Sequence, residues 1–96
     1  MTLGGELQET RCIAVVDGAM ILTEAGALVY EGVRAPRIPM PGSAYIRIVN
    51  QRLVQDRIVQ VERVGEDRHG KAVARVWVDG ESVNDRIAAE IAKLDL

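Results

Sequence analysis

The side chains able to do chemistry sit in three short phrases of fixed order. Val16-Asp17-Gly18 runs into Ala19-Met20, Gly32-Val33-Arg34-Ala35-Pro36-Arg37 follows, and Asp67-Arg68-His69-Gly70-Lys71 comes last. Arg34, Arg37 and Lys71 are expected to converge on one face. Guanidinium and ammonium donors suit a phosphate, a carboxylate or an acidic partner. The competing reading makes them solvated loop charges, some paired with Glu31 or Asp67. Asp17, within the first phrase, and Glu31, just before the second, are the two carboxylates weighed for a metal role. Two carboxylates make a poor cage for a hard dication, which wants several oxygen ligands.

Other chemistries lack their parts. His69 is the only histidine and Cys12 the only cysteine, so a zinc site of His or Cys/His type has too few donors in one chain. Cys12 reads as a small apolar strand residue and not as a nucleophile. Ser43 and Ser82 have no base close in sequence and read as helix caps. No Walker or Rossmann glycine pattern is present. Trp77 is read as core filler or an interface anchor in preference to a base-stacking platform.

These residues need a scaffold, and composition bounds it. A chain of 96 residues suits one domain. Phe is absent, and Trp77, Tyr30 and Tyr45 are the only aromatics, so the core must be built from Val, Ile, Leu and Ala. The formal net charge of -2 argues against avid sequence-independent binding to nucleic acid, which requires clustered Lys and Arg. The first ten residues lack a basic and an apolar region of signal-peptide type, and no apolar run is long enough for a bilayer. No membrane partner and a cytoplasmic location are expected. No cofactor is expected either.

The elements follow from periodicity and turn residues. Residues 1–10, with Gly4-Gly5, read as a loose lead-in to a domain spanning 11–96. Arg11 to Val16 and Met20 to Thr23 are β-rich runs separated by Asp17-Gly18, a hairpin signal. Ala25-Gly26 turns the chain into a third strand holding Leu28, Tyr30 and Val33. Pro36, Pro39, Pro41 and Gly42 form a connecting loop. Residues 43–54 are ambiguous between strand and helix. Ser43 as an N-cap and the recurrence of Tyr45, Val49 and Leu53 at helical spacing favour helix. Arg57 to Val64 is a fourth strand with Val59 and Val61 on one face, and Gly65 to Gly70 is a polar turn. Ala72 to Val78 is a fifth strand, with Ala74, Val76 and Val78 opposite Val73, Arg75 and Trp77. Ser82 with Asp85 forms a capping box for a last helix carrying the stripe Ile87, Ile91 and Leu94.

Taken with Val78-Asp79-Gly80 and Val83-Asn84, the three phrases resemble the staphylococcal-nuclease-like (thermonuclease) domain family over roughly residues 12–92. The expected fold is a β-rich α+β domain. It is a small five-stranded OB-type barrel with a helix between strands 3 and 4 and a C-terminal helix. The resemblance fails at the chemistry. In that family two Asp hold Ca2+, a Glu lies near the attacking water and two Arg clamp the phosphate. Carried over by position, the Asp ligands fall on Ala19 and Arg34, and the Glu falls on Arg37. The strand-three Arg falls on Val29, and the turn Arg on Lys71. Replacing the three carboxylates shifts local charge by about five positive units, so the place would repel a dication.

The resemblance therefore implies a catalytically inactive module of nuclease-like build. Its expected contact is with a protein partner or a second copy of itself, through an apolar patch at Ile87, Ile91 and Trp77. One alternative is a nucleic-acid-binding module using Arg34, Arg37 and Lys71. Another is a divergent metal-dependent nuclease with ligands not recognised in the sequence.

Overall fold

The computed structural model describes residues 7–37 and 40–94. The lead-in before Leu7 and Pro39 of the connecting loop lie outside the described residues. The described chain forms β1 (Gln8–Asp17), β2 (Met20–Thr23), β3 (Gly26–Tyr30), α1 (Ser43–Val54), β4 (Ile58–Glu66), β5 (Ala72–Val78), β6 (Glu81–Ser82) and α2 (Val83–Ala92). The sheet runs β3-β2-β1-β4-β5-β6, and β3 also pairs with β5. That last pairing is parallel, Leu28 to Ala72 through Tyr30 to Ala74, and it closes a five-stranded barrel. The fold is the expected OB-type barrel, with α1 between β3 and β4 and α2 at the end.

The strands bend into closure at residues that lack a partner opposite. Cys12 pairs with Thr23 and Ala14 with Leu22, which leaves Ile13 over; Val16 is left over likewise between Val15 and Asp17. On β4, Val64 is the extra residue between Arg63 and Gly65. Such bulges sharpen twist and curvature. The side chains pointing inward are small and branched: Cys12, Val15, Ile21, Leu28, Val59, Val61, Ala74 and Val76 are all buried. Tyr30 is the one aromatic among them.

Two polar side chains inside this core fasten it. The Tyr30 hydroxyl donates to Asn50 Oδ1 at 2.6 Å, and Asn50 Nδ2 donates to the Asp17 carbonyl at 2.9 Å. One chain of bonds thus links the barrel wall, α1 and the first hairpin. Burial, with Cys12 and Asp17 adding to it, pushes the Tyr30 hydroxyl well above the ordinary tyrosine range. Asn84, on the first turn of α2, accepts from the Val76 amide at 2.9 Å and donates to the carbonyls of Glu31 at 3.0 Å and Ala74 at 3.1 Å. It ties α2 to β5 and to Glu31, the residue after β3 ends.

Several local expectations are corrected. The lead-in gives way to β1 at Gln8, where residues 8 to 11 pair with β4 at Val61 to Ile58. Val33 is buried but follows β3, after a turn in which Gly32 takes a positive φ of 73°. Ser43 does not cap α1; Gly42 does, in the left-handed region and with no side-chain bond. The inward stripe of α1 is Ile46, Asn50 and Val54. Tyr45, expected in that stripe, is exposed, and Val49 and Leu53 lie half-buried at its margin. Gly65 and Glu66 extend β4 beyond the expected end. The short β6 was not foreseen. Asp79 and Gly80 both take positive φ, 51° and 81°, which suits the two-residue hairpin between Val78 and Glu81. Ser82 caps α2 as expected, accepting from the Asp85 amide at 3.2 Å.

Candidate functional site

The β1–β2 hairpin is the place to which the three phrases lead. Asp17 pairs with Met20 across a two-residue turn. The Asp17 carboxylate is spent on that turn, accepting from the Ala19 amide at 2.7 Å. Gly18 is needed for space. A β-carbon there would run into Ile46 of α1 and lie 3.0 Å from the Ala35 side chain. Ala35, flanked closely by Arg34 and Arg37, therefore rests against the hairpin. From the other side, Lys71 Nζ reaches Met20 Sδ at 4.0 Å. Both loops carrying the predicted cations thus touch the same hairpin.

Arg34, Arg37 and Lys71 are exposed. Among the described residues, none of the three forms an ion pair. The pairing of some of them with Glu31 or Asp67, part of the competing reading, does not occur among the described residues. Glu31 instead binds Arg75, Oε1 to Nε at 3.0 Å, and Arg75 also faces Glu62 at 3.5 Å. The Glu31 hydrogen bond is the main reason the Arg75 guanidinium sits above its ordinary pKa. Asp67 folds its own loop by accepting from the amides of His69 at 2.8 Å and Lys71 at 2.9 Å. The Lys71 amide first, and the His69 amide after it, hold the Asp67 carboxyl below its ordinary range. His69 is thus a turn residue whose backbone, not its ring, makes the recorded bond. Asp17 and Glu31 are each committed to a partner, and no cluster of three His, Cys, Asp or Glu residues able to hold a metal occurs among the described residues.

Ala19 and Val29, the places where the resemblance would set a carboxylate and an arginine, are partly buried. Val29 lies opposite Met20 on one side and Val73 on the other. Leu22 lies opposite Ala14 and Ala27. The outer wall of β1, β2, β3 and β5 is therefore a run of apolar cross-strand pairs, with Leu22 41 % exposed. The bulged Ile13 and Val16 add exposures of 46 % and 49 % beside it. Sequence reasoning missed this wall. It placed the apolar patch at Ile87, Ile91 and Trp77, but Ile87 is fully buried and the other two are half-buried. The signal was present in the alternation of Met20, Leu22, Ala27 and Val29, whose faces point away from the core.

No protein-family model matches the sequence, and no curated protein matches it at a significant level. No helix among the described residues is long and apolar enough to cross a membrane.

The Asp67 loop gives a pH prediction. A carboxyl whose pKa is depressed on folding stabilises the native state above its unfolded pKa, and that contribution is lost as pH falls through the folded value. Glu90 adds to it. The Tyr45 hydroxyl at 2.8 Å and Lys93 at 3.2 Å hold that carboxyl below its ordinary range. The melting temperature is expected to be flat near neutrality and to fall as the pH drops through about 4. In Tyr45→Phe the fall should be shallower, as thermal scans across pH would show. An unchanged acid slope in Tyr45→Phe would exclude the Glu90 share.

Proposed function

We propose that the chain is a non-catalytic barrel of nuclease-like build that works by binding, and that its first partner is a second copy of itself. The apolar outer wall centred on Leu22, Val29 and Met20 is the observation that supports this reading. It carries neither the aromatic platforms that stack bases nor the acidic side chains that hold a dication. A two-fold contact needs a patch complementary to itself, and an apolar wall meets that condition. Hydrophobic patches of this kind mark contact sites.

Sedimentation velocity over a wide concentration range tests it. The wild-type chain is expected to shift from monomer to dimer as concentration rises. Leu22→Lys, a change at an exposed strand position, should stay monomeric with its melting temperature little altered. A wild-type chain that remains monomeric at high concentration would remove the proposal.

A second reading, a nucleic-acid-binding module, is favoured by one observation: Arg34, Arg37 and Lys71 border one hairpin, and none has an ion-pair partner among the described residues. Oligonucleotide binding in a low-salt anisotropy titration that weakens as salt rises would put this reading first.

A further inference from the structure

Two cavities lined by described residues lie away from the hairpin, along the seam where α1 meets β5, β6 and α2. One cavity of about 420 Å3 is lined by Leu53, Val78 and Val83 together with Arg52, Arg57, Asp79 and Glu81. Its volume lies within the range of small-ligand sites. A smaller one of about 170 Å3 opens beside Val49 and Tyr45, between the two helices. Arg52 and Leu53 line both, so the two spaces share one wall.

The charges along this seam are nearly all matched within the chain. Arg57 faces Asp79 at 3.9 Å, Arg86 faces Glu81 at 3.5 Å, and Glu90 is held by Tyr45 and Lys93. Arg52 is different. Among the described residues its guanidinium makes neither an ion pair nor a side-chain hydrogen bond, although it borders both cavities. An unmatched guanidinium lining the same cavity as Leu53, Val78 and Val83 fits an anion with a short hydrocarbon body. The planar fork binds a carboxylate through two parallel hydrogen bonds, and Leu53, Val78 and Val83 would cover the hydrocarbon.

We infer that this seam is a binding site for a branched apolar carboxylate, with the carboxylate on Arg52 and the hydrocarbon against Leu53, Val78 and Val83. The same chemistry is offered by a small free acid and by the C-terminal carboxylate of a peptide ending in leucine. This site is separate from the outer wall of β2 and β3, so its test is independent of self-association.

The probes are 4-methylpentanoate, its neutral amide, and a short peptide ending in leucine as free acid or amide. Binding is followed by 1H–15N chemical shifts and by calorimetry on the full chain. The free acid is expected to bind and to shift amides at residues 49–57 and 78–86, with the amide weaker by about tenfold. Arg52→Gln, at an exposed helix position, should erase the difference between acid and amide while its spectrum remains that of a folded barrel. Arg52→Lys should recover only part of it, because an ammonium lacks the fork. Tighter binding of the peptide acid than of 4-methylpentanoate assigns the site to peptide C-termini, and the reverse order assigns it to small acids. The inference fails if neither acid binds up to about 10 mM, if acid and amide bind alike, or if Arg52→Gln binds the acid as the wild type does.

Discussion

Asn84→Ala is expected to lower the unfolding free energy by about 2–4 kcal/mol, the cost of stranding buried polar groups that had a partner. Asn84 is 6 % exposed and bonds three backbone groups, two on β5 and one at Glu31 just past the end of β3. The Val76 amide is the costliest loss, since an N–H within the core has no water to turn to. The Ala74 carbonyl suffers less, because it also accepts from the Glu31 amide at 2.9 Å. Loss of the Glu31 carbonyl bond frees the point where β3 hands over to the Val33–Arg37 loop. Urea unfolding would measure the stability change, and faster amide exchange at Val76 and Val33 would place it. Asn84→Asp should be nearly as harmful, because a carboxylate cannot donate to the two carbonyls. A stability loss below about 1 kcal/mol in Asn84→Ala would show that the three bonds do not hold the barrel closed.

The second large effect concerns the bonds through Asn50. Asn50→Ala removes the acceptor of the buried Tyr30 hydroxyl and the donor to the Asp17 carbonyl. It also opens a gap beside Ile46 and Val54 on the same helix face. A loss of about 2–4 kcal/mol is expected. Tyr30→Phe alone should cost less, since it leaves Asn50 its bond to the hairpin. The double change Asn50→Leu with Tyr30→Phe replaces both polar partners by apolar groups, so its cost should be well below the sum of the single changes Asn50→Leu and Tyr30→Phe. Denaturant titrations of the four proteins form the cycle. Additive costs would mean that the hydroxyl and the amide do not act as a pair.

Much of the scaffold was legible because the physics involved is local. Ala72 to Val78 alternates strictly, and the structure buries Ala74, Val76 and Val78 while Val73, Arg75 and Trp77 face out. Ser82 and Asp85 announced the start of α2 by capping chemistry alone. The α1 segment was harder. Its sequence offers two stripes, Tyr45-Val49-Leu53 and Ile46-Asn50-Val54, and hydrophobicity favours the first. The barrel chose the second because Asn50 can satisfy the Tyr30 hydroxyl, a contact 20 residues away in sequence. The end cap at Gly42 was equally hidden, since its left-handed conformation depends on the loop before it.

The site was legible only in part. Arg34, Arg37 and Lys71 could be named from their phrases, and their loops do meet the first hairpin. That Glu31 belongs to Arg75 follows from the parallel β3–β5 pairing, which no local pattern announces. The apolar outer wall was written in the alternation of β2 and β3. It escaped notice because Ile and Val on a strand look the same whether they face the core or solvent until closure assigns the faces.

We propose that this barrel, which gathers no cluster of oxygen donors for a dication among its described residues, works by contact and not by cleavage. The most direct test is a phosphodiester cleavage assay on single-stranded DNA and RNA with Ca2+, Mg2+ or Mn2+, at protein concentrations where trace activity would register. No cleavage above the metal-only control is the predicted result. Cleavage that vanishes with EDTA and with Asp17→Asn or Glu31→Gln in an otherwise folded chain would contradict the account.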